Sequence, residues 1–85
     1  MKLSGYQINM LLFLENNPGA CFNDMFGKVH LYFNTPSSLV NKKLVAKTDT
    51  KPYNTYTLTE AGESSVRILK RMGLTISYRQ QDRRI

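Results

Sequence analysis

The chain has 85 residues, 41% of them hydrophobic, with five Tyr, four Phe and twelve Lys and Arg against six Asp and Glu, for a formal net charge of +6. That length fits one domain with one small core and leaves no room for a separate catalytic domain; the apolar content is that of a folding chain, not a disordered one. No apolar run approaches the roughly 18 residues of a membrane span, no signal-like segment opens the chain, and the lone cysteine, Cys21, forbids an internal disulfide and points to a reducing cytoplasm.

Ser4 followed three residues later by Gln7 makes a capping box, in which the hydroxyl accepts from the third helical N–H and the amide reaches back. Leu3 and Ile8 are spaced for a hydrophobic staple. Ile8, Leu11, Leu12 and Glu15 recur at helical spacing, with Tyr6 and Leu14 widening the stripe. Asn16-Asn17-Pro18-Gly19 ends the run, because proline disfavours helix at the residue before it and glycine tolerates positive φ. The pattern predicts a first helix over residues 5–16.

Phe22, Met25, Phe26 and Val29 lie at i, i+3, i+4 and i+7, which predicts a second, shorter helix from Phe22 to about Lys28, with Gly27 as a break or turn. Val29 to Phe33 is apolar and aromatic, and its length suits a turn, a strand or the start of another helix. Asn34-Thr35-Pro36-Ser37-Ser38 reads as a helix start, with Asn34 or Thr35 as the cap and Pro36 at the first helical position. Leu39 and Val40 would face the core. The alternative is one longer helix from about Leu31, kinked at Pro36.

Residues 44–48 alternate weakly as a strand, and Thr55-Tyr56-Thr57-Leu58 is rich in the β-branched and aromatic residues that strands favour. The turn-forming, basic stretch from Asp49 to Asn54 joins them as a hairpin. Thr59 caps a last helix with Glu60 and Glu63 in its first turn. Ala61, Ser65, Ile68, Leu69 and Met72 supply its apolar stripe, Arg67, Lys70 and Arg71 lie where the dipole favours cations, and Gly73 is a suitable C′ residue. Leu74, Ile76 and Tyr78 then alternate like a half-buried strand before a polar end at Ile85.

The positive excess has a position. Residues 1–27 carry Lys2 against Glu15 and Asp24, whereas Lys28, Lys42, Lys43, Lys47 and Lys51 face only Asp49 in residues 28–54. The remainder adds Arg67, Lys70, Arg71, Arg79, Arg83 and Arg84 against Glu60, Glu63 and Asp82. A localised positive field draws in phosphate; a solvated basic face that only keeps the chain in solution is the plain alternative.

The fold class expected is α+β, mostly α: three helices, a hairpin and an additional C-terminal helix. Two passages give that order a family likeness. Leu39-Val40-Asn41-Lys42-Lys43-Leu44-Val45 resembles the passage from recognition helix into wing strand of winged helix-turn-helix regulators. Tyr56-Thr57-Leu58-Thr59-Glu60-Ala61-Gly62 is similar to the passage from wing strand into the following helix in MarR-like and PadR-like regulators. The resemblance spans a winged-helix domain over residues 4–72, leaving residues 73–85 as an extension, a strand or dimerisation tail. Lys43 stands where the family has a turn glycine, which asks a lysine for positive φ.

The resemblance implies a sequence-specific double-stranded DNA-binding transcriptional regulator whose third helix enters the major groove while the wing touches backbone or minor groove. Carried onto this chain, the exposed candidates are Thr35, Ser37, Ser38, Asn41 and Lys42, with Asn41 able to read adenine and the hydroxyls able to serve bases or phosphates. Lys43, Lys47 and Lys51 suit phosphates, and Tyr53 and Asn54 at the wing tip suit sugar or phosphate. Helix-start chemistry is the competing role for Ser37 and Ser38, and plain solvation for the lysines. Tyr32, Phe33 and Tyr56 read as core. His30 and Cys21 have no ligand or base partner at a useful spacing, so neither a metal, a cofactor nor an enzyme is expected. A homodimer through the tail is the expected assembly, a strand lying against its own domain the alternative. A second class of function is a protein-interaction adaptor that binds host transcription or defence machinery through the same fold.

Overall fold

The computed structural model describes residues 3–76. Its elements are α1 (Gly5–Asn16), β1 (Ala20–Cys21), α2 (Phe22–Phe26), α3 (Thr35–Asn41), β2 (Val45–Thr48), β3 (Thr55–Leu58) and α4 (Glu60–Arg71). Four helices thus accompany a three-stranded antiparallel sheet of order β1-β3-β2. No helix among the described residues is long and apolar enough to cross a membrane.

Helix α1 starts where the capping box places it: the Ser4 hydroxyl accepts from the Gln7 N–H at 3.2 Å, and the Gln7 side-chain Oε1 accepts from the Ser4 N–H at 2.9 Å. Every residue from Asn9 to Leu14 is buried, so this helix is apolar around its circumference and forms the centre of the fold. Met10, Leu11 and Leu14 pack with Met25 of α2, Leu39 of α3 and Val66 of α4 in one cluster. Burial of each such side chain contributes roughly 1.5–3 kcal/mol. The one polar residue in that stretch, Asn9, donates to the His30 carbonyl at 2.9 Å and so ties α1 to the connection before α3.

Asn17 closes α1 by donating backward to Phe13 and Leu14 carbonyls, and Gly19 turns at φ +81° into β1. Strand β1 pairs Ala20 with Tyr56 and Cys21 with Thr55. No periodic sign of this strand exists in the sequence, because two residues are too few to show one. Helix α2 runs to Phe26, slightly shorter than the apolar spacing suggests, and leaves Phe26 exposed.

In the ambiguous stretch before α3, Val29 makes an isolated β-bridge and the residues after it are neither strand nor helix. Val29 and Leu31 are buried in the core, whereas Tyr32 and Phe33 are exposed, which corrects their expected place inside. The cause lies in Thr35, whose hydroxyl accepts from the Tyr32 N–H at 3.0 Å while its own N–H donates to the Tyr32 carbonyl. This reciprocal pair turns the two rings outward ahead of a short α3, not a long kinked one.

Helix α4 is capped by Thr59, as expected, and ends in Gly73 at φ +82°. Its buried stripe is Gly62, Ser65, Val66 and Leu69, whereas Ala61, Ile68 and Met72 are exposed. The stripe is rotated from the expected one because Gly62 lets the helix lie directly on the chain at Leu44. A Cβ at Gly62 would stand 2.1 Å from the Leu44 carbonyl oxygen. Residues 74–76 form no strand, and the expected Tyr78 and the rest of the tail lie outside the described residues.

Candidate nucleic-acid interface

Helix α3 buries Thr35, Pro36 and Leu39, and turns Asn34, Ser37 and Asn41 outward on one stripe. At its C-terminus the Lys43 N–H donates to the Val40 carbonyl at 2.9 Å and the Leu44 N–H to the Leu39 carbonyl at 3.1 Å. Those two bonds form a Schellman motif with Lys43 at C′, in the left-handed region at φ 63°. Leu44 packs in the same core cluster as Leu39, which completes the motif's hydrophobic contact. The same pattern recurs at the end of α4, where Gly73 donates to Lys70 and Leu74 to Leu69. One motif therefore uses glycine and the other places a lysine in a conformation that glycine adopts more readily.

Thr59 holds this corner from the other side. Its hydroxyl donates to the Lys43 carbonyl at 2.8 Å and accepts from the Gly62 N–H at 3.1 Å, while its N–H donates to the Leu44 carbonyl at 3.1 Å. The Thr59-x-x-Gly62 spacing thus has a local mechanical reason: threonine both caps α4 and grips the Lys43–Leu44 backbone, and glycine lets α4 close over it. Lys42 and Lys43 are thereby presented, exposed, from a fixed corner. Neither makes an ion pair among the described residues.

The hairpin pairs Val45 with Leu58, Ala46 with Thr57, Lys47 with Tyr56 and Thr48 with Thr55. Its six-residue tip, from Asp49 to Asn54, is wholly exposed, carrying Lys51, Tyr53 and Asn54 outward, and the Thr50 hydroxyl donates to the Tyr53 carbonyl across it. Lys47 pairs loosely with Asp49 at 3.8 Å; both are well exposed, so the pair is worth little. Tyr56 is buried as expected. Burial, and secondarily the Asp49 carboxylate, push its phenol above the usual value near 10.

Of the ten residues singled out in the sequence, eight lie exposed on α3's outer face, its C-terminal corner or the hairpin: Ser37, Asn41, Lys42, Lys43, Lys47, Lys51, Tyr53 and Asn54. Two correct the expectation. Thr35 is only 2% exposed and its hydroxyl is committed to Tyr32, so it is not open to a partner. Ser38 is half-buried, donating to the Thr35 carbonyl at 2.8 Å and accepting from the Gln7 amide at 3.0 Å. Among the later cations, Lys70 holds both Glu15 carboxylate oxygens at 3.1 Å, which joins α4 to α1.

Three features escape a reading of the sequence. Gln7 looks like a cap and is also a strut to α3. Thr59 looks like a cap and is also the clamp on Lys43. Tyr6, Tyr32 and Phe33 gather in an exposed aromatic cluster that only the fold assembles. Among the described residues, no group of three His, Cys, Asp or Glu side chains could hold a metal ion. No protein-family model, curated protein or solved structure matches the chain.

Proposed function

We propose that this chain is a winged helix-turn-helix protein, of the kind represented by MarR-like and PadR-like regulators, that binds double-stranded DNA and controls transcription. The observation that carries the reading is the corner at Lys42–Lys43. It joins the polar outer stripe of α3 to a basic hairpin and displays both lysines without a carboxylate partner among the described residues. In this reading Asn41 and Ser37 face base edges, and Lys42, Lys43, Lys47 and Lys51 face phosphates. Tyr53 and Asn54 reach sugar or backbone from the hairpin tip. With Thr35 and Ser38 withdrawn into the fold, few side chains remain to read bases, so phosphate contacts supply most of the affinity.

Salt titration of duplex binding tests the proposal. Affinity should fall steeply as salt rises, and the Lys42→Ala, Lys51→Ala double variant should lower the log–log slope by about 2, near one for each phosphate no longer neutralised. Absence of binding to any duplex at low salt would overturn the reading and leave the protein-interaction adaptor as the better account. A mass measurement on the free and DNA-bound protein tests the homodimer that two-fold half-sites would require.

A further inference from the structure

The rings of Tyr6, at the start of α1, and of Tyr32 and Phe33, ahead of α3, form one surface cluster. Tyr6 and Tyr32 lie with centroids 6.1 Å apart and planes 28° apart, and Tyr32 and Phe33 with centroids 4.9 Å apart. They are 46%, 51% and 71% exposed, so three large rings face solvent together where burial would be worth several kcal/mol. Val29, Leu31 and Thr35 anchor the connection in the core, and the exposed rings stand outside it. Tyr6 and Tyr32 border an open recess of about 400 Å³, lined also by Gln7, Asn34 and Ser38. It sets the Asn34 amide next to aromatic faces, the Gln7 amide and the Ser38 hydroxyl being bonded to each other.

We infer that this cluster is a stacking site for an unpaired nucleobase, so that the chain binds nucleic acid carrying single-stranded bases more tightly than fully paired duplex. The inference rests on the nucleic-acid reading above and specifies a second contact surface for it. Charge favours this occupant over an acidic or purely aliphatic partner. Between residue 3 and Glu15, and again between Asp24 and Asp49, the chain has no carboxylate; the second stretch carries Lys28, Lys42, Lys43 and Lys47. The rings therefore sit on carboxylate-free segments, and α3, about 10 Å long at 1.5 Å per residue, separates them from the Lys42–Lys43 corner. A flat π-face beside hydrogen-bonding groups, with cations one short helix away, matches the stacking-plus-phosphate chemistry by which single strands are held. Every base has a π-face, so the site adds affinity for unpaired strands without choosing among sequences.

The test compares a blunt duplex, the same duplex with an oligo-dT overhang, and free oligo-dT, each titrated against the full chain. The overhang should tighten binding about tenfold, within the range that base–aromatic stacking provides. Tyr32→Ala and Phe33→Ala should each erase most of that margin while leaving blunt-duplex affinity unchanged, and Tyr32→Phe should keep it. Thermal melts of all three variants confirm folding. Because the chain has no Trp, tyrosine emission is directly readable; the overhang duplex should quench it more than the blunt duplex, and Tyr32→Ala should remove that difference. Equal affinity of the wild type for blunt and overhang duplexes overturns the inference and leaves the duplex reading standing. So does an overhang preference that survives both alanine variants. Binding to oligo-dT without duplex binding overturns the duplex reading and supports the stacking site. Failure to bind any of the three ligands overturns both.

Discussion

The Gln7 side-chain amide donates to the Ser38 hydroxyl at 3.0 Å, while its carbonyl oxygen caps α1 through the Ser4 N–H. One side chain thereby fixes where α1 begins and where α3 lies. Ser38 passes the constraint on by donating to the Thr35 carbonyl, which holds the turn that exposes Tyr32 and Phe33.

Gln7→Ala removes both bonds and should lower unfolding stability by about 1–2 kcal/mol, the sum of a lost cap interaction and a lost half-buried hydrogen bond. Ser38→Ala loses only the second and should cost about 1 kcal/mol. In a double-mutant cycle read by denaturant melts, the double variant should be less destabilised than the sum of the singles, because both remove the same bond.

Gly62→Ala should be the most damaging small substitution in the chain. The added methyl would stand 2.1 Å from the Leu44 carbonyl oxygen, which is backbone and held by the Thr59 N–H. Relief requires α4 to lift from the corner, so a loss of about 3 kcal/mol or more is expected, at or beyond the upper end of the usual overpacking cost. Thermal unfolding measures it. A variant as stable as wild type would show that α4 does not rest on Leu44.

Lys43→Gly should separate stability from binding. Relieving a lysine at φ 63° should raise stability by about 1 kcal/mol, read as a higher Tm. The same change deletes a charge that faces phosphate in the proposed complex, so on that reading duplex affinity should fall and its salt slope shallow by about 1. A gain in Tm with unchanged DNA affinity would remove Lys43 from the interface without disturbing the account of the turn.

Tyr56 gives the chain a specific alkaline weakness. Its phenol is held above the ordinary value in the folded state, chiefly by burial, so the folded chain keeps a proton that the unfolded chain releases. The associated stability is fully present below about pH 10 and is lost as pH rises through the raised folded value. Tyr56→Phe should show a flatter stability profile above about pH 10, with the difference between the two proteins removing the contribution of the lysines. Parallel profiles would contradict the assignment.

Helix boundaries were legible wherever a local chemical signal marks them. Ser4 and Gln7 announce α1, Pro18 and Gly19 end it, Thr59 starts α4, and the hairpin strands carry their own β-branched residues. Positive φ at Lys43 was also readable, from a lysine standing at a turn position. What could not be read depends on rotation and distance. The α4 stripe turns on how closely Gly62 approaches Leu44, which periodicity does not encode. Tyr32 and Phe33 look like core by composition, yet the backbone pairing of Tyr32 with Thr35 turns them out. Thr35 and Ser38 look like surface hydroxyls, yet their bonds are intramolecular. The candidate site was legible as charge and missed as geometry.

The sheet order leaves β1 and β2 as its margins, two and four residues long, with β3 paired on both sides. Open margins with free backbone groups are where sheets recruit further strands and grow into aggregates. Here the longer margin is short and carries an exposed lysine within it, Lys47. Stacking another copy edge to edge would bring two such ammonium groups together across a short, twisted ladder. The cation that faces phosphate in the proposed complex would then also act, in the free protein, as a guard against fibril growth.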